Sequence, residues 1–200
     1  MPRVRTLSTG LLAFALASLP VMVQAQTALT LPPCRAGGPP VTLVIRTDTT
    51  SGWTVNGAPV AVVADPGYAN ASPATWIGPA GGRAPGPMTY RVQFNTPSMH
   101  GQMSVSAQWM ADNCGGLLTA GAGTGVSASS PPPAMRTSCV APSVSGQDFR
   151  AFNRVLTANF APADSNNPTA SLTFTVLNEP NSKIGLAGIF TITAQCSCRT

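Results

Sequence analysis

Apolar and polar residues alternate with a period of two in five stretches of this 200-residue chain. "VTLVIRT" (41–47) places Val41, Leu43 and Ile45 on one face, and "MTYRVQF" (88–94) does the same with Met88, Tyr90, Val92 and Phe94. "GQMSVSAQWM" (101–110) turns Met103, Val105, Ala107 and Trp109 one way and Gln102, Ser104, Ser106 and Gln108 the other. "ASLTFTVLN" (170–178) aligns Leu172, Phe174 and Val176, and "LAGIFTITAQCSC" (186–198) aligns Phe190, Ile192, Ala194, Cys196 and Cys198. Such alternation marks strands of an antiparallel sheet with one dry face. A sixth stretch, "APVAVVA" (58–64), is apolar without a break and predicts a short strand buried on both sides. "SGQDFRAFNRVLTANF" (145–160) has a partial helical period. Its surroundings are all β, so a strand over "FNRVLTANF" (152–160) is the preferred reading. The predicted fold class is an all-β antiparallel sandwich in one domain.

The joints between strands are rich in turn residues, and the chain carries 20 prolines and 19 glycines. Two joints are long: "DPGYANASPATWIGPAGGRAPGP" (65–87) and "LLTAGAGTGVSASSPPPAMRTSCVAPSVSG" (117–146). Loops of that length are functional or lack fixed structure. Cys114 and Cys139 bracket most of the second, and a bridge between them would clip it, which predicts that they pair.

The N-terminus reads as a secretory leader. Arg3 and Arg5 precede the apolar run "LLAFALASLPVMV", and Val23 and Ala25 of "VQA" stand at the small-residue positions of a cleavage site. The run is too short to span a bilayer. Residues 1–25 are therefore expected to be a signal peptide, 26–40 a linker and 41–198 the domain, in an extracellular or periplasmic protein. In an oxidising compartment cysteines default to disulfides, and five of them leave one over.

Charge narrows the function. The formal charge is +5, and the basic residues are scattered rather than gathered into a patch, which argues against nucleic acid. Catalysis finds little material. His100 is the only imidazole, in a turn before a strand; Glu179 is the only glutamate; no G-x-S-x-G elbow occurs. Paired carboxylates for glycoside hydrolysis are not evident in the pattern. The chain therefore reads as a non-enzyme without a cofactor. Asp112 and Asn113 offer two oxygen-bearing side chains for a structural calcium, with Asp48 and Asp65 elsewhere; an Asx turn explains the pair equally well.

Four motifs appear in order: "GWTVNGAPVAVV", "ATWIGPAGG…GPMTYRVQF", "SVSAQWMADN" and "ASLTFTVLNEP…IGLAGIFTITA". The series resembles the galactose-binding-domain-like β-sandwiches of jelly-roll type found in secreted bacterial proteins of the PEP-CTERM sorting group. The likeness spans about residues 41–195. It departs after "ADN", where "CGGLLTAGAG" replaces the usual "L-N-G", and the cysteines are not part of the pattern. The resemblance implies a jelly roll whose first and last strands run close together, so Cys34 should pair with Cys196 or Cys198, Cys196 being favoured. Cys198 would then be free, or would join a second copy of the chain. The resemblance implies a fold and does not name a ligand.

Aromatic residues in the loops suggest a binding rim. Tyr68, Trp76 and Arg83 share the first long joint, and Trp53 lies in the turn-rich "TSGWTVNG". Each tryptophan has two readings, a stacking platform for a sugar ring or a core filler, and the second also fits Trp109. The expected function is a secreted non-catalytic module that binds carbohydrate or a cell-surface glycan. The alternative is a structural or assembly protein of the bacterial cell exterior, joined through strand edges or a spare cysteine.

Overall fold

The structure is a computed structural model that describes residues 28–64, 68–81, 85–96, 100–112, 114–122, 128–129, 154–160, 169–178 and 184–197. The signal peptide, Arg83, Asn113, Cys139 and Cys198 lie outside the described residues. The described chain forms strands and no helix: β1 (Val41–Arg46), β2 (Thr54–Val55), β3 (Ala58–Val62), β4 (Ile77–Pro79), β5 (Gly86–Asn95), β6 (His100–Asp112), β7 (Cys114–Ala122), β8 (Ala128–Ser129), β9 (Arg154–Phe160), β10 (Thr169–Asn178) and β11 (Gly185–Cys196). No helix among the described residues is long and apolar enough to cross a membrane.

Every strand-to-strand ladder is antiparallel, and together the strands make one curled sheet in the order β8-β7-β10-β5-β2-β3-β4-β11-β6-β9. β6 takes one edge of β11 along its length; β4 and β1 share the other edge end to end. β3 pairs with β2 on one side and β4 on the other, and so links the limb β8-β7-β10-β5-β2 to the limb β4-β11-β6-β9. The limbs turn their apolar faces toward each other. Trp109 of β6 meets Phe174 of β10 at 4.9 Å between ring centroids, and Phe174 meets Phe190 of β11 at 6.1 Å.

The period-two pattern explains this core. On β5, Met88, Tyr90, Val92 and Phe94 are buried while Arg91 and Gln93 face solvent. On β10 the alternation is complete, with Ala170, Leu172, Phe174, Val176 and Asn178 inside. β6 buries Met103, Val105, Ala107 and Trp109 as its spacing predicts. Burial of such side chains contributes about 1.5–3 kcal/mol each relative to exposure. The strand reading of 152–160 also holds, since β9 pairs with β6 from Phe160 opposite Met103 to Arg154 opposite Trp109.

Two expectations are corrected. The "APVAVVA" strand is not buried on both sides: β3 is largely exposed, and Val62 is 60% exposed. Its neighbours β2 and β4 are only two and three residues long, too short to carry a second layer over it. The region from 117 is not all loop, because β7 runs to Ala122 and pairs with β10, with a register shift between Thr175 and Val176. Glycine and alanine dominate "CGGLLTAGA", so side-chain alternation is faint there and the backbone ladder supplies the strand.

The expected linker is partly built into the sheet. Leu31 N–H donates to the Asn95 carbonyl (2.9 Å) and Asn95 N–H donates to the Leu29 carbonyl (2.8 Å), with Leu31 fully buried. Three residues on, Cys34 bonds Cys196 at an S–S distance of 2.11 Å and a Cα–Cα distance of 5.3 Å. The favoured pairing thus occurs. Cys114 opens β7, but its expected partner Cys139 lies outside the described residues.

Candidate functional site

The first long joint folds back on itself over the outer face of one limb. Val63 N–H donates to the Trp76 carbonyl (2.9 Å), so the two ends of the segment 63–76 meet, as in an Ω-loop. Trp76 holds the loop from within. Its indole N–H donates to the Ala69 carbonyl (2.9 Å), and Tyr68 stacks on its ring at 4.2 Å between centroids and 29° between planes. The Tyr68 hydroxyl then donates to Asp112 Oδ2 (2.9 Å) at the end of β6.

The strands beneath are shaped for these rings. Met110 and Ala187 face each other in the β6–β11 register and pack with Trp76 and Ala71 in a small second core. Gly185 lies directly below. A Cβ there would stand 2.9 Å from Trp76 Cε3 and 3.4 Å from Tyr68 Cε2, so the absence of a side chain lets the stack sit down on β11. This cover explains why Trp109, Met110, Ala111 and Asp112 are all buried in succession: at this end β6 is enclosed on both faces.

Thr47 fixes the loop's far end. It is fully buried; its N–H donates to the Gly188 carbonyl (3.0 Å) and its hydroxyl donates to the Thr75 carbonyl (2.7 Å). Its Oγ1 accepts Gly188 N–H (2.9 Å), and its own carbonyl accepts Thr75 N–H (2.8 Å). Between these anchors the chain makes an Asx turn, with Ser72 N–H donating to Asn70 Oδ1 (2.9 Å). The result is an open concavity of about 650 Å³ lined by residues 63–64 and 68–76. None of the described lining side chains is ionised at neutral pH: they are alanines, one valine, one proline, Asn70, Ser72, Thr75, Tyr68 and Trp76.

The predicted site residues separate. Tyr68 and Trp76 come together. Trp53 does not join them: it is 1% exposed, donates its indole N–H to the Arg46 carbonyl (2.9 Å) and packs on Phe190 at 5.2 Å. It is a core residue and offers no ring face to a ligand, which corrects its assignment to the rim. Trp109 is a core residue too, at 2% exposed. Trp76 is 6% exposed, with one face against Tyr68, so it acts as the loop's anchor more than as a platform. Arg83 lies outside the described residues.

Of the carboxylates considered for a cation, Asp112 and Asp48 are engaged within the fold and Asp65 lies outside the described residues. Asp112 is 7% exposed and accepts the Tyr68 hydroxyl, while Asn113 lies outside the described residues. Asp48 closes its own turn, accepting from Thr50 N–H (2.7 Å), Thr50 Oγ1 (3.0 Å), Ser51 N–H (2.6 Å) and Ser51 Oγ (2.7 Å). Burial pushes the Asp48 carboxyl up, but these bonds outweigh it and hold the carboxyl below its ordinary range. No group of three or more His, Cys, Asp or Glu among the described residues is arranged to hold a metal ion.

Sequence reasoning missed Thr47, Gly185 and the partnership of Asp112 with Tyr68. One signal was present. "WMAD" breaks the alternation of β6 with consecutive apolar residues, which marks a strand covered on both faces, and "GLAG" supplies small residues opposite it. In comparison with known proteins, the chain matches no family model and no curated protein.

Proposed function

We propose that this chain is an exported, non-catalytic binding module on a jelly-roll β-sandwich, and that its ligand is a neutral carbohydrate. The observation that carries the reading is the concavity of the 63–76 loop, whose described lining is uncharged, walled by the Tyr68–Trp76 stack and edged by the exposed Asn70 and Ser72. A pocket of aromatic carbon with amide and hydroxyl groups suits a ligand that is itself a ring with hydroxyls, and its described lining holds no cation for a phosphate or carboxylate. The resemblance of the four sequence motifs to galactose-binding-like modules supports the same reading. So does the packing of the two limbs across one core, which suits a sandwich. The Cys34–Cys196 bond supports an oxidising compartment. Asp112, which the loop's Tyr68 reaches, is buried and already accepts a hydrogen bond, which favours binding over hydrolysis.

The test is a glycan array probed with the exported, disulfide-intact protein, with neutral and anionic glycans side by side. Binding is expected among neutral glycans, and Asn70→Ala or Arg83→Ala should weaken it about tenfold with an unchanged melting temperature. Trp76→Ala should instead cost about 3–5 kcal/mol of stability, as for other buried aromatic truncations. Tyr68→Ala should lower both stability and binding, because Tyr68 is stacked and bonded within the fold. Binding confined to anionic glycans, or left intact in both the Asn70 and Arg83 variants, would refute the assignment.

A further inference from the structure

β1 has a strand partner on one edge and no strand on the other among the described residues. Its phase is fixed at its end, where Thr47 N–H donates to the Gly188 carbonyl and Gly188 N–H returns a bond to Thr47 Oγ1. In an antiparallel ladder the bonded pairs then recur every second residue, at 45, 43 and 41. The amides and carbonyls of Thr42, Val44 and Arg46 therefore point to that edge, where the Arg46 carbonyl already accepts the Trp53 indole N–H (2.9 Å) and the others are open. The side chains of these residues are exposed as well, and Val44 is 40% exposed. Val44 and Val62 are the large apolar side chains left exposed among the described residues.

Edges of this kind are normally blunted by lysine, proline, a bulge or an inward charge. β1 has none of these: "VTLVIR" runs in unbroken register along β11, with a single charge at its last residue. We propose that this edge receives β1 of a second copy of the chain, antiparallel, about a twofold axis at Val44.

The residues on either side select that register. With the axis at Val44, Val44 faces Val44 of the second copy, and each Arg46 faces a Thr42. Four backbone hydrogen bonds form between free partners, two joining the Val44 residues and one from each Arg46 N–H to a Thr42 carbonyl, and two exposed valines cover each other. The two guanidinium groups fall at opposite ends of the ribbon, roughly 14 Å apart along it, beyond the screening length of physiological salt. An axis at Ile45 would set each Val44 against an Arg46 and uncover the valine pair, and an axis at Arg46 would set the two arginines directly opposite, which destabilises a cross-strand pair. An axis at Leu43 would set Arg46, and an axis at Thr42 would set Val44, against Pro40, which has no N–H to give. The pairing extends the β9-β6-β11-β1 edge of one copy into that of the other without using the 63–76 loop, so it is independent of the binding site proposed above.

Sedimentation velocity of the exported, disulfide-intact chain over a concentration series tests this. The wild type should show a reversible dimer that persists in reductant. Val44→Lys places two ammonium groups on the axis and should weaken the dimer at least about tenfold, with an unchanged circular dichroism melt. Val44→Cys should give an oxidant-dependent covalent dimer linked through residue 44 in peptide maps, because α-carbons of a bonded antiparallel pair lie about 5.5 Å apart, within disulfide reach. A wild type that stays monomeric at its highest soluble concentration would overturn the proposal. A dimer that Val44→Lys leaves intact, or one dissolved by reductant alone, would overturn it equally.

Discussion

Replacing Cys34 and Cys196 together by alanine removes the covalent tie that the described residues show between the start and the end of the sheet. The bond joins residues separated by 162 positions in sequence, across a Cα–Cα distance of 5.3 Å. In the chain-entropy treatment, opening a loop of that length returns about 5 kcal/mol of conformational freedom to the unfolded chain. The folded state need change little, because Leu31 stays buried and the hydrogen bonds of Leu29 and Leu31 to Asn95 hold the segment locally. The loss should therefore sit in the unfolded state. For a domain of this size, 5 kcal/mol corresponds to a fall of roughly 10–20 °C in Tm. Guanidinium unfolding followed by tryptophan fluorescence gives the free energy directly, and Trp53 and Trp109 make good reporters because both are buried in the shared core. A double variant that loses less than about 1 kcal/mol would refute the entropic reasoning. Peptide mapping of the wild type that found Cys34 joined to any other cysteine would refute its structural premise.

Two smaller changes probe the interior and the loops. Tyr90 is fully buried with its hydroxyl unpartnered among the described residues, and burial pushes its ionisation well above the ordinary phenol range. Tyr90→Phe should thus raise stability by about 1 kcal/mol, and a clear loss in the same unfolding assay would reveal a partner for that hydroxyl. Asp48 is held below its ordinary pKa, so its ionised form favours folding. Its contribution is present above about pH 4, the unfolded value, and fades as pH falls through the lower folded value. Asp48→Asn should therefore be less stable than the wild type near neutrality, with the gap closing in acid; a gap that is constant with pH would contradict this.

The fold was legible wherever side chains alternate. Inward faces on β5, β6, β10 and β11 follow from spacing alone, because a period of two commits each residue to a face once one side is dry. β7 and β3 were misjudged for opposite reasons. In β7 glycine and alanine leave little side-chain signal, whereas β3 is apolar in composition but lies where the sheet passes from one limb to the other. The candidate site was legible only as a list of aromatics. That Tyr68 and Trp76 stack while Trp53 enters the core depends on which strand each flanks, and a turn-rich sequence does not encode that. The loop's support was less visible still, since Thr47, Asp112 and Gly185 act through contacts that cross the sheet.

The Cys34–Cys196 bond also has a mechanical meaning. If the chain is pulled from its two flanks, as an anchored surface protein is by shear, load entering at residue 28 first peels Leu29 and Leu31 from Asn95 and then reaches Cys34. There it passes through the sulfur bridge to Cys196 and leaves the chain, bypassing every strand from β1 to the end of β11. The sheet, its loop and its open edge would stay slack under a force that would unzip an uncrosslinked sheet from its ends. Tension on the oxidised domain should extend it by only the few residues outside the bridge, whereas in the reduced domain the same pull would run through the whole ladder.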